Sequence, residues 1–105
     1  MKLEVFWFDD CPNHHAATAL LNETLDELGV SAEIEMVKVP DLETGEKTKF
    51  AGSPTIRING KDIDPSYEDT GDYTPRCRVY FTSEGFKGLP EKAWIVDAVR
   101  DAIAT

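Results

Sequence analysis

Two cysteines and their neighbours carry whatever chemistry this sequence offers. Cys11 stands in Phe8-Asp9-Asp10-Cys11-Pro12-Asn13-His14, where an apolar run ends and a helical pattern begins. A thiol at a helix start faces unpaired N–H groups and the positive end of the helix dipole, which together can lower a thiol pKa from about 8.5 to as little as about 3.5–7.5. The thiolate is the reactive form. His14, one turn along on the same side, would add to that stabilisation as an imidazolium, or act as acid or base. Asp9 and Asp10 oppose it, because neighbouring negative charge favours the neutral thiol. Cys11-x-x-His14-His15 also has the spacing of soft-metal ligands, but it is incomplete: a structural zinc site takes four, so Cys77 and a carboxylate such as Asp10 would have to join it. Two adjacent histidines cannot both face one cleft, so at least one is expected on the surface. Cys77 lies between Arg76 and Arg78. Their charges favour a thiolate if all three groups are near one another; otherwise Cys77 packs as a small hydrophobe.

The elements that must position these residues follow from hydrophobic periodicity. Leu3-Glu4-Val5-Phe6-Trp7-Phe8 is an almost unbroken apolar run, the pattern of a central strand buried on both faces. Ala17, Leu20, Leu21, Leu25 and Leu28 recur three and four apart, which predicts an amphipathic helix starting within two residues of Pro12 and ending near Gly29. Ala32, Ile34 and Met36 alternate with Glu33 and Glu35, the period of a half-buried strand, which Val37-Lys38-Val39 extends to Pro40. Residues 41–51 hold at best a short helix or an irregular crossover. Thr55-Ile56-Arg57-Ile58, then Asn59-Gly60, then Lys61-Asp62-Ile63-Asp64 predicts a hairpin, since a two-residue type I′ turn needs positive φ at both central positions. Arg78-Val79-Tyr80-Phe81 fits either a short strand or an extended lid. From Pro90 onward, Ile95, Ala98, Val99, Ala102 and Ile103 form a second helical stripe, with Leu89 and Trp94 packing where it starts. The tyrosines 67, 73 and 80 give the segment before it an aromatic lining or, more simply, anchors.

This order, β-α-β-(α)-β-β-α, resembles the thioredoxin-like superfamily. Two local signatures sit where that α/β fold would place them: Cys11 opening the first helix, and Ser53-Pro54-Thr55, similar to the cis-proline segment that faces the active-site cysteine in the superfamily. More narrowly, the chain resembles the small bacterial thioredoxin-like proteins of the "DF" family, some of which bear an alkylmercury-lyase label. The resemblance covers residues 1–64 and 90–103 of one domain spanning 1–105, leaving 65–89 as an insertion or lid. It departs from the superfamily at His14, where a dithiol oxidoreductase has its second cysteine, so disulfide cycling within the motif is excluded.

The resemblance implies a thiol-dependent redox or thiol-transfer protein without a cofactor. Cys11 would attack a disulfide, peroxide or soft electrophile, His14 would tune it, and Cys77 or an external thiol would resolve the adduct. Ser53, Pro54, Arg76 and Arg78 would bind the substrate. The rival readings are a soft-metal or organometal binding protein using Cys11, His14 and Cys77, and a non-catalytic interaction module. In this fold the first strand ends, and the third begins, at the active-site edge. The fourth strand returns there, so the insertion starts beside Cys11 and can bring Cys77 within the ~4.4–6.8 Å Cα separation of a disulfide.

Charge and composition narrow the partners. With 20 acidic and 11 basic residues the formal charge is -9, which repels phosphate backbones and anionic membranes. Nucleic acid and membrane are therefore not expected as partners. The chain opens on Met1-Lys2-Leu3-Glu4 with no secretory apolar core, so a cytoplasmic location is expected, where an ordinary disulfide is transient.

Overall fold

The computed structural model describes residues 1–104. Strand β1 (Leu3–Trp7) lies centrally, next to β2 (Ile34–Lys38) on one side and β3 (Thr55–Ile58) on the other, with β4 (Lys61–Asp62) at the edge. β1 runs parallel to β2 and antiparallel to β3, and β3 runs antiparallel to β4. Helices α1 (Asn13–Leu28), α2 (Leu42–Thr48) and α3 (Lys92–Ala104) complete a mixed α/β architecture. No helix among the described residues is long and apolar enough to cross a membrane.

The central position of β1 explains its nearly continuous apolar sequence. Leu3 and Val5 join Ile56 and Ile58 of β3 against Leu21 and Leu25 of α1 and Ile95 and Val99 of α3. Phe6, pointing to the other face, packs with Val39 and Phe50. Burying side chains of this size contributes roughly 1.5–3 kcal/mol each, so the two clusters hold the end of β1 as a fixed platform. Helix α1 starts after Pro12 and ends at Gly29, which takes the left-handed conformation (φ 67°) and donates its N–H to the Asp26 carbonyl. Asp41 caps α2 by accepting the Thr44 N–H at 2.8 Å, and Arg57 reaches from β3 to the Thr48 and Lys49 carbonyls at its far end. That clamp fixes the chain just before it turns into β3.

Three elements depart from the sequence expectation. In β2, Met36 is 42% exposed and the half-buried positions are Ile34 and Val37, because an edge strand is covered unevenly by its neighbours. β4 stops at Asp62: the Asp62 carboxylate accepts the Asp64 N–H, and Asp64 accepts from Ser66, so side chains turn the backbone off the sheet. The insertion contains a separate hairpin, β5 (Tyr80–Thr82) with β6 (Gly85–Lys87), beginning two residues later than the Arg78-Val79-Tyr80-Phe81 segment.

Candidate functional site

The C-terminal end of β1, the start of α1 and the approach to β3 converge on Cys11. Its side chain is 0% exposed, and its thiol donates to the Ser53 carbonyl at 3.3 Å. The Ser53–Pro54 peptide bond is cis. Gly52, just before it, has φ +106° and lies against Arg78 so closely that a Cβ there would meet the Arg78 Cβ at 2.8 Å. Only glycine meets both demands.

Cys77 reaches the same point from the insertion. Residues 76–78 run alongside Ser53: the Ser53 N–H donates to the Arg76 carbonyl at 2.7 Å, and the Arg78 N–H donates to the Ser53 carbonyl at 2.8 Å. This sets Cys77 beside Ser53, whose carbonyl accepts from the Cys11 thiol, so the two cysteines converge on one backbone group and the Cys11 thiol acts on that of Cys77. Both are free thiols, Cys11 buried and Cys77 exposed. The hydrogen bond to Cys11 pushes the Cys77 pKa up to about 11, helped by its partial burial, the negative charge of a Cys11 thiolate and that of Asp10. Cys77 therefore holds its proton well above the range of an ordinary thiol.

The flanking arginines correct one expectation. They do not bring Cys77 down, because their charges are engaged elsewhere. Arg78, 8% exposed, donates to Asp62 at 2.6 and 3.2 Å, stands 3.7 Å from Asp64, and lies over the Tyr80 and Tyr67 rings at 4.2 and 5.3 Å. It anchors the insertion. Arg76 is exposed and faces Asp72 at 3.6 Å and the Thr74 carbonyl at 3.1 Å. Tyr80 is fully buried and donates its hydroxyl to the Pro54 carbonyl; burial raises its pKa, which keeps that proton in place. The anchoring reading of the tyrosines thus describes Tyr80, which holds the proline that follows Ser53.

His14 is also placed differently from its expected role. Its Nδ1 pairs with the Cys11 carbonyl at 2.8 Å instead of with the sulfur, and its ring stacks on Trp7 at 4.5 Å, with His15 at 4.0 Å beyond it. The side chain is buried and braces the first turn of α1, while His15 is exposed. Asp9 is drawn away by Lys38 at 2.7 Å. No three His, Cys, Asp or Glu side chains among the described residues are grouped to hold a metal. The hydroxyl of Ser53 is buried without a hydrogen-bond partner among the described residues, so Ser53 serves the site through its backbone.

Sequence reasoning did not find Asp62 and Asp64 as the seat of Arg78. The available signal was two carboxylates flanking Ile63 just after the Asn59-Gly60 turn, followed by one arginine in a segment otherwise short of buried side chains. No family model matches the chain, and no curated protein or solved structure matches it. Geometry has to carry the functional assignment. Two neighbouring thiols, one enclosed and one open to solvent, can cycle between a dithiol and a disulfide with the transfer of two electrons and two protons.

Proposed function

We propose that the protein performs thiol–disulfide exchange through Cys11 and Cys77 on a thioredoxin-like fold. The fold reading is supported by β1 ending where β3 begins, by the cis bond before Pro54 beside Cys11, and by β4 running back alongside β3. The observation that carries the function is the convergence of the two cysteines on the Ser53 backbone, where Cys77 takes the place of the second cysteine that His14 denies to the helix start.

Exposure sets the order of steps. With Cys11 enclosed, an external thiolate meets the oxidised pair at the Cys77 sulfur, forms a mixed disulfide there, and releases Cys11 as a thiolate at the start of α1. Attack by a second external thiolate on its own kind's sulfur frees Cys77 and yields the external disulfide. Two external thiols lose two electrons and two protons, and the cysteine pair gains them. In the reverse direction Cys11 expels an external thiol from a mixed disulfide on Cys77. This reverses the expected roles, in which Cys11 met the substrate and Cys77 resolved the adduct.

Intact-mass analysis after mild oxidation tests the assignment. The expected product has lost two hydrogens and yields a linked Cys11–Cys77 peptide, which Cys11→Ser and Cys77→Ser each abolish. A sulfenic acid or an external mixed disulfide as the sole product would overturn it.

A further inference from the structure

The exposed thiol of the pair opens onto a cavity of about 340 Å³ between the insertion and the approach to β3. Ala51 and Val79 form its apolar wall, and Glu68, Asp69 and Asp72 stand around it with Arg76. The two cations on the lining are already matched: Arg76 faces Asp72, and Arg78 is held by Asp62 and Asp64. Glu68 and Asp69 have no ion-pair partner among the described residues; Lys49 and Arg57 act on Asp69 only through space. Hydrogen bonds from the Gly71 N–H and the Tyr73 hydroxyl hold the Asp69 carboxyl below its ordinary pKa, so it is ionised at neutral pH. A reactant approaching the Cys77 sulfur therefore crosses a negative field, on a protein whose formal charge is -9.

We propose that this cavity is the substrate site of the Cys11–Cys77 pair and that it selects cationic thiols and disulfides over anionic ones, with Glu68 and Asp69 setting the preference. The inference rests on the exchange reading above and adds the substrate class to it. The favoured partner carries an ammonium or guanidinium group within a few bonds of its sulfur. Its thiolate attacks Cys77 Sγ, the Cys11–Cys77 bond breaks, and Cys11 leaves with the electron pair and takes up a proton. A second molecule of the same class attacks the substrate sulfur of the mixed disulfide, releasing the dicationic disulfide and Cys77, which is protonated in turn.

The test follows loss of the Cys11–Cys77 disulfide by intact mass with three reagents: cysteamine (cationic), 2-mercaptoethanol (neutral) and 3-mercaptopropionate (anionic). Rates are compared per unit thiolate. Cysteamine is expected to exceed 3-mercaptopropionate by at least about tenfold at low salt, the lower end of electrostatic steering at a charged cleft. The gap should shrink as the Debye length falls from about 30 Å at 0.01 M to about 3 Å at 1 M. Glu68→Gln, on an exposed side chain, should narrow it, and Glu68→Gln with Asp69→Asn, whose amide oxygen still accepts from Gly71, should nearly abolish it. Equal rates for all three reagents, or a gap that survives in the double variant, would overturn the cavity assignment while leaving the exchange reading intact. Failure of the two cysteines to join on oxidation would remove both.

Discussion

The two cysteines belong to regions built on different principles. Cys11 sits where β1 meets α1, on a platform of short-range elements: a central strand, a helix whose first turn is braced by His14, and two apolar clusters beneath. Cys77 sits in a segment with little regular structure and is held by two sets of contacts, the backbone hydrogen bonds to Ser53 and the buried Arg78 anchor. A reactive pair made from one scaffolded thiol and one tethered thiol keeps its inner member fixed and its outer member open to solvent.

The largest effect expected from breaking this contrast is at Arg78. Arg78→Ala strands Asp62 in a buried place and should cost about 3–5 kcal/mol in urea unfolding. Because the same change unseats Cys77, its alkylation at pH 8 should accelerate with it. Leu21→Ala damages only the platform. It should cost about 2–5 kcal/mol while leaving the Cys77 titration where it was, so stability and thiol contact separate. Gly52→Ala strikes the junction of the two regions, where both the positive φ and the Arg78 side chain oppose a Cβ. A loss of about 1–3 kcal/mol is expected, with a lower Cys77 pKa as the strand of residues 76–78 is pushed off Ser53.

A finer probe is the pH dependence of Cys77 itself. An ordinary thiol loses its proton near about pH 8.5, whereas the contact with Cys11 holds that of Cys77 to about 11. A folded-state pKa above the unfolded one means that this contact's contribution to stability is complete below about pH 8.5 and is lost as pH rises through about 11. In Cys11→Ser the hydrogen bond to a thiol and the thiolate charge are gone. The Cys77 alkylation midpoint should then fall, and its rate at pH 8 should rise about tenfold as the thiolate fraction grows. The smallest effect is expected at Ser53→Ala, which removes a buried hydroxyl that has no partner among the described residues and leaves both backbone hydrogen bonds in place. Unfolding and exchange should be unchanged or slightly improved.

The same contrast decides what was legible in the sequence. The apolar run of residues 3–8, the stripe from Ala17 to Leu28 and the Asn59-Gly60 turn each report a local preference, so the strand, the helix around Cys11 and the hairpin could be read directly. The insertion is governed by contacts between distant residues. Arg78 takes its position from Asp62 and Asp64, and nothing at residues 76–78 alone says that the guanidinium turns inward and leaves Cys77 facing out. Reading Arg76 and Arg78 as thiolate-stabilising neighbours failed for that reason: adjacency in an extended segment puts alternate side chains on opposite faces. His14 shows the converse. Helical spacing placed it on the Cys11 side, but the stacking surface offered by Trp7 and the Cys11 carbonyl took its ring away from the sulfur.

The central claim is that Cys11 and Cys77 form one redox pair, and equilibration in graded cysteamine–cystamine buffers followed by acid quench and intact mass tests it most directly. The account predicts one two-electron transition between the dithiol and the internal disulfide, with the mixed disulfide on Cys77 accumulating only in Cys11→Ser. Two independent transitions, each ending in a stable cysteamine adduct on its own cysteine, would contradict it.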